Sequence, residues 1–313
     1  VAICEGVYEM LLETNCVKRA LNTAGISLQA DVGESLLVKA IYVGVVTTAG
    51  YAIVKIDNFT VGCWLVKGKG GNELGGMYKG YAAINLMKLL VERGLPFSYP
   101  IAEGQKLTIA ALDGAGAIQL VYDRYTAGDI RADMSNGTAS KVFSFIQYLG
   151  ESAVLTASGD MLLDTSLSPA EFPDFPAGKP VPPRMKIKLH GITGCPVADA
   201  ASGSNLFYTT YLKLIREREV LFDEDRLGIQ FLGDSAATGA GKYTDIESII
   251  GSVGEIGAGF FMANKKEPLW FDPALLFLSG EELLVYLSWL KVGTHTMPAG
   301  LPAVGLILEV NRD

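Results

Sequence analysis

One pattern occurs twice in this chain. Residues 96–109 have a counterpart in residues 272–285, with Gly104 matching Gly280, Leu107 matching Leu283 and Ile109 matching Val285. In each copy a polar turn containing Gly launches an alternating strand, the arrangement that sets a hairpin register. Each copy then runs on to a closing strand, residues 117–123 in the first and 303–309 in the second. The starts of the halves also correspond, since residues 36–40 match residues 185–189. Matching segments in the same order at both ends point to two copies of one β-domain.

Between the copies, residues 166–183 hold six prolines in eighteen positions. Pro donates nothing to a strand ladder, so this segment reads as an extended, semi-rigid connector. Phe172 and Phe175 would pin it to a domain, and both are also candidates for contact with a neighbouring subunit. A stiff, pinned connector fixes two halves as a building block and does not serve as a hinge. The expected limits are 1–32 for an N-terminal arm, 33–165 for a first domain with a trailing insertion, 166–183 for the connector and 184–313 for a second domain. A chain of 313 residues buries roughly three quarters of its unfolded surface and needs no metal or disulfide to hold a core.

Two helices are expected. Val7, Met10, Leu11, Thr14, Val17 and Leu21 fall at helical spacing, with Glu5, Glu9 and Glu13 early and Lys18 and Arg19 late, as the helix dipole prefers. This predicts a helix over residues 5–22, stopped by Gly25, whose Val7, Met10, Leu11 and Val17 are candidates for docking on a neighbour. A second helix is expected over 81–93, ended by Gly94. From Glu34 onward the period changes to two, and short runs rich in Val, Ile, Thr and Tyr between Gly and Asn predict antiparallel sheet.

Charge and chemistry exclude several classes. Lys plus Arg is 26 against 34 for Asp plus Glu, with no basic block, so the chain lacks the cations that neutralise nucleic-acid phosphates. The most apolar stretch, residues 36–54, is broken by Lys39, Gly44 and Gly50 and reads as two strands, not a spanning helix. Residues 1–5 lack the basic segment and apolar run of a signal peptide. Cys4, Cys16, Cys63 and Cys195 form no CxxC and read as buried thiols. His190 and His295 lie in different halves, too few for an imidazole metal cluster. Residues 233–243 fail as a phosphate loop because Ala236 and Tyr243 stand where Gly and a hydroxyl are needed. The acidic run 223–225 reads as a solvated turn. No catalytic residue, cofactor or metal is expected.

Tandem β-domains of this size, a Pro-rich connector and a short helix inside the first domain resemble the double jelly-roll major capsid proteins of tailless icosahedral viruses, the adenovirus-type lineage. Residues 122–130, leaving the first domain, and 171–176, entering the second, carry the same likeness. It spans nearly the whole chain from about Glu34. The resemblance implies an all-β chain of two tandem jelly-roll β-sandwich domains with a few short helices, including the N-terminal one. It implies a homotrimer forming a pseudo-hexagonal tile, with neighbouring trimers, penton and minor capsid proteins, and an internal membrane as partners. It further implies a virion component made in the host cytoplasm, with no catalytic residues and no direct sequence-specific nucleic-acid binding.

Two other classes compete. A trimeric β-sandwich binding module for a receptor or carbohydrate would share the sheets, with exposed aromatics and Asp or Asn around one pocket; residues 72–78 and 223–226 are its candidates. A bicupin-like enzyme is disfavoured by the two histidines.

Overall fold

The computed structural model describes residues 11–21, 25–43, 50–66, 86–111, 117–126, 141–150, 154–155, 159–194, 209–222, 229–230, 268–289, 295–296 and 304–313. Strand pairing divides them into two units of the same plan. The first contains β1 (Leu11–Leu21), β2 (Ile26–Gln29), β3 (Glu34–Val43), β4 (Gly50–Ile56), β5 (Phe59–Val66), helix α1 (Leu86–Glu92), β6 (Tyr99–Ile101), β7 (Lys106–Ile109) and β8 (Ala117–Thr126). Its sheets have the orders β1-β8-β3-β6 and β2-β7-β4-β5, all antiparallel. Eight strands in two interleaved four-stranded sheets make a jelly roll.

The second unit begins at β9 (Val142–Gly150) and continues through β10 (Val154–Leu155), β11 (Gly159–Leu162), β12 (Thr165–Ser166), β13 (Met185–Gly194), β14 (Thr209–Arg216), β15 (Glu219–Phe222), β16 (Ile229–Gln230), β17 (Leu269–Phe277), β18 (Leu283–Trp289), β19 (His295–Thr296) and β20 (Val304–Arg312). Its main sheets run β9-β20-β13-β17, with β12 added outside β9, and β11-β18-β14-β15. Taken in chain order, these eight strands pair as the eight of the first unit do. The chain is all-β, two jelly rolls in tandem.

The repeat read from the sequence lies in equivalent places. Gly104 and Gly280 occupy the turns before β7 and β18 with φ of 78° and 87°, a left-handed conformation that Gly adopts without strain. Leu107, Ile109, Leu283 and Val285 beyond them are buried. Residues 36–40 and 185–189 lie on the equivalent strands β3 and β13 but two positions out of step, since Leu36 pairs with Ile101 as Ile187 pairs with Phe277; the closing strands are β8 and β20.

The unit limits differ from those expected. Strands β9, β11 and β12 precede the Pro-rich segment, yet they pair with β20, β18 and β9 in the second roll. The passage between rolls therefore falls between Thr126 and Val142, and residues 166–183 are an insertion inside the second roll. That insertion runs along the edge of β9. Leu167 N donates to Tyr148 O, Ser168 Oγ donates to Ile146 O, and Gln147 Nε2 donates to the carbonyls of Pro173 and Asp174. The segment then reaches the turn before β18, where Val181 N donates to Glu281 O.

The N-terminal helix is also corrected. Leu11–Leu21 is strand β1, paired along β8, and residues 5–10 lie outside the described residues. A register shift between Glu13 and Cys16, with Asn15 at φ 56°, marks a bulge. A bulge inverts which residues face inward, so neither period two nor a clean apolar face is visible along the strand. Tertiary pairing with β8 overrides the helical spacing of Leu11, Thr14, Val17 and Leu21. The second expected helix is present as α1, with Leu86, Met87 and Leu90 buried. Gly94 at φ 78° ends it as Leu95 N donates back to Leu90 O. Residues 81–85 of that expectation lie outside the described residues.

Candidate functional site

Each roll has one sheet whose outer face carries a cation and a carboxylate at a matching bulge. In the first roll the register between β3 and β8 shifts between Val38 and Ala40. Lys39 stands at the shift with its Nζ 2.8 Å from Asp123 Oδ1. In the second roll the register between β13 and β20 shifts between Leu189 and Gly191. There His190 Nε2 lies 3.2 Å from Glu309 Oε2, and Lys188 Nζ lies 2.8 Å from Oε1. Asp123 and Glu309 hold the same place in the two closing strands.

Asp123 also ties down β1. Its Oδ1 accepts from Thr14 Oγ1 and from Asn15 N, both at 2.9 Å. Burial alone would raise this carboxyl, but the bonds from Lys39, Asn15 and Thr14 outweigh it and hold it below its ordinary value. Arg124 on the next position bridges Glu13 and Glu34, joining β1 to β3 across β8.

Glu309 is held at about 2, chiefly by the His190 hydrogen bond; burial opposes this and Lys188 adds to it. A carboxyl lowered on folding contributes stability above its unfolded value, and that contribution is lost as pH falls through its folded value. Glu309→Gln is therefore expected to lower the thermal midpoint at pH 6–7, by a stability difference on the order of 2–3 kcal/mol. The difference from wild type should shrink steadily between about pH 4.5 and pH 2. Thermal melts across that range check it; a gap that is constant with pH would show that the carboxylate's charge is not what matters.

The rolls join through the outer face of β9. Tyr148 is fully buried, accepts a 2.8 Å hydrogen bond on Oη from Leu65 N of β5, and places its ring 5.4 Å from that of Tyr51 on β4. Thr60 Oγ1 donates to Glu171 of the insertion, and the Arg93 guanidinium lies 4.2 Å over the Trp270 ring. Gly305 on β20 has no room for a side chain, since a Cβ there would sit 2.9 Å from Thr193 Cγ2 and 3.0 Å from Ile146 Cγ2.

The interface candidates separate into three groups. Leu11 and Val17 are on β1 and exposed at 53% and 56%; Leu12 and Leu21 on the same strand are also exposed. Val7 and Met10 lie outside the described residues. Phe172 and Phe175 are inside the second roll: Phe172 stacks on Phe145 at 4.9 Å, and Phe175 tilts against Phe277 at 5.2 Å. Their rings have no surface left for a neighbouring subunit, because the insertion that carries them plugs its own sandwich.

Other residues singled out from the sequence are quickly placed. Cys63 is a buried thiol pushed up to about 12 by burial, and Cys16 is half-buried on β1. Cys4, Cys195 and residues 72–78, 223–226 and 233–243 lie outside the described residues. His295 lies in β19, opposite Leu155 of β10. Among the described residues no group of His, Cys, Asp and Glu is placed to hold a metal. Among them, too, no helix is long and apolar enough to cross a membrane. Sequence reasoning missed Tyr148 and β9, whose role depends on a partner from the other roll.

No protein-family model matches the chain, and no curated protein matches it. Among solved structures it is similar to the major capsid protein P2 from bacteriophage PM2. That likeness has a TM-score of 0.38 and 10% identity, covering 97% of this chain and 98% of that one. It is also similar to peptide-N(4)-(N-acetyl-β-D-glucosaminyl) asparagine amidase, with a TM-score of 0.29 and 12% identity, covering 97% of this chain and 95% of that one. Both are distant, and the jelly-roll assignment rests on the strand pairing of the chain itself.

Proposed function

We propose that the chain is a viral structural protein, the major capsid protein of an icosahedral shell, assembling as homotrimers that tile as pseudo-hexagons. The observation that carries this reading is the duplication itself. Two rolls of one strand order meet at Tyr148, whose Oη accepts from Leu65 N of the first roll, so each chain presents two like blocks. Three such chains would supply six like blocks around an axis, which suits a hexagonal tile. Closed assemblies require subunits whose contact surfaces hold their angles, and the buried contacts of Tyr148 with Leu65 and Tyr51 tie one roll to the other.

The partners in this reading are other copies of the chain, neighbouring trimers, penton and minor capsid proteins, and a membrane beneath the shell. The acidic balance of the chain leaves contact with the genome to other components. The place of the protein would be the virion, after synthesis in the host cytoplasm.

Negative-stain class averages of the purified protein test the reading. Three-fold particles with a hexagonal outline and six lobes are expected. Two-lobed monomers would overturn it, and a three-fold particle on a long stalk would turn the assignment to a binding module.

A further inference from the structure

Strands β1 and β9 hold equivalent places in the two rolls, but they are attached by different means. In β9 every residue from Phe143 to Gly150 is buried, and the insertion and β12 close its far edge. In β1 no side chain is buried; Cys16 and Ala20 are half-buried and the rest are exposed. Strand β1 is also the edge of its sheet, paired with β8 alone among the described residues. Burial therefore contributes little to its attachment, and elements held that way open first.

Polar contacts supply what burial does not, and they converge on Asp123. At the bulge Asn15, with φ of 56°, turns its N–H to Asp123 Oδ1 at 2.9 Å, and Thr14 Oγ1 donates to the same oxygen at 2.9 Å. Lys39 Nζ of β3 lies 2.8 Å from that oxygen and donates to Asn15 Oδ1 at 3.2 Å. One carboxylate thus joins β1, β8 and β3 at a single point. The equivalent Glu309 does not hold β9. Its oxygens go to Lys188 and His190 on β13, and the Ser144 hydroxyl opposite it on β9 has no hydrogen-bond partner among the described residues.

We propose that β1 is a detachable strand latched by Asp123, and that protonating this carboxyl frees β1 as a unit while the rest of the first roll stays folded. The charged groups around the latch are Lys39 and Glu34 of β3, Arg124 of β8 and Glu13 of β1. Arg124 bonds both glutamates, which leaves Lys39 as the cation paired with Asp123. Burial works against the charge of Asp123, yet the bonds from Lys39, Asn15 and Thr14 hold it below its ordinary value. A carboxyl lowered by docking stabilises the docked strand above its free value, about 4, and that contribution is lost as pH falls through the docked value. Glu13, lowered by its bond to Arg124, acts in the same direction. Burial pushes Cys16 and Tyr122 up, so both stay neutral throughout. Release turns β8 from an inner strand into a sheet edge, with a row of backbone donors and acceptors open to strand addition.

Hydrogen exchange of the full chain, read by mass spectrometry, tests this. At about pH 7, Asp123→Ala should lower the protection of the Cys16–Leu21 amides about ten- to a hundredfold, the effect of losing one or two charged hydrogen bonds. Amides of β4 and β7, in the other sheet of the same roll, should keep their wild-type protection. In wild type, protection of Cys16–Leu21 corrected for the intrinsic rate should fall by a similar factor between about pH 5 and about pH 2.5. In Asp123→Ala it should change far less over that range. Asp123→Asn keeps the shape and loses the charge, so at neutral pH it should match wild type at the acid end.

Full protection of Cys16–Leu21 in Asp123→Ala would overturn the latch. Loss that spreads to β4 and β7 would make β1 part of the folding unit of the roll and overturn its detachment. A wild-type profile that is flat with pH, or an Asp123→Asn chain as protected as wild type, would overturn the acid trigger and the proposal with it.

Discussion

Phe175→Ala is expected to cost about 3–5 kcal/mol, the range for removing a fully buried aromatic from a filled core. Phe175 is 0% exposed and tilts against Phe277 of β17 at 5.2 Å. Near it Phe172 stacks on Phe145 and Phe143 at 4.9 and 6.4 Å. These rings enter the second roll from the insertion, so their loss affects more than the volume they fill. The insertion also supplies the carbonyls bonded by Gln147 and the Ser168 hydroxyl bonded to Ile146 O. With its anchor gone, the buried amide of Gln147 stands to lose partners as well.

The readout is the thermal midpoint by calorimetry, with a fall of about 10 °C expected for a roll of this size. Phe59→Ala serves as the comparison, since Phe59 is 41% exposed at the start of β5 and should change stability by less than about 1 kcal/mol. A Phe175→Ala midpoint close to that of Phe59→Ala would mean the insertion is not seated in the core. That outcome would restore the segment as a surface connector and return Phe172 and Phe175 to the interface candidates.

What the sequence made legible follows from which faces are buried by which partner. Leu107 and Ile109 alternate with Lys106 and Thr108 because one face of β7 meets its own core, and Leu283 and Val285 hold the same buried places in β18. The turns at Gly104 and Gly280 stand out because a left-handed residue there favours Gly. Strand β9 shows the opposite case. Phe143, Phe145, Gln147 and Leu149 face its own roll, while Ile146 and Tyr148 on the opposite face are also buried, Tyr148 against Leu65 and Tyr51 of the other roll. With both faces covered there is no alternation to read. The start of the second unit was therefore hidden, and the prolines beyond it looked like a boundary.

Strand β1 was hidden by its bulge, and by an outer face that is apolar at Val17 and Leu21 but charged at Arg19. Nothing local distinguishes such a segment from a short amphipathic helix. The decisive groups are distant: Asp123, which takes bonds from Thr14 and Asn15, and Arg124, which reaches Glu13. Leu11 and Val17 could be marked as apolar, but their place as exposed residues of a strand exists only once β1 pairs with β8.

Gly62→Ala is expected to destabilise the first roll by about 2–4 kcal/mol, although it adds a single methyl group. Gly62 lies on β5 opposite Val54 of β4, and a Cβ there would overlap Tyr99 Oη. The same atom would sit 2.8 Å from the Tyr99 ring and 3.0 Å from Trp64 Nε1. Tyr99 and Trp64 are themselves buried and share a 2.8 Å hydrogen bond from Trp64 Nε1 to Tyr99 Oη. The added methyl must therefore push aside a ring that has nowhere to go, an overpacking cost of about 1–3 kcal/mol. It also strains a buried hydrogen bond worth about 1 kcal/mol, whose loss would leave the indole N–H without a partner.

The cause can be separated from a general intolerance of Ala in a strand. Tyr99→Phe removes the hydroxyl that collides, at the cost of the bond to Trp64. If collision dominates, the double variant Gly62→Ala/Tyr99→Phe should be more stable than the sum of the two single losses allows, with a coupling of about 1–2 kcal/mol. Urea midpoints of the four proteins give that coupling directly. Strict additivity would place the damage in the strand backbone and would rule out the close approach of Tyr99 to β5 as its source.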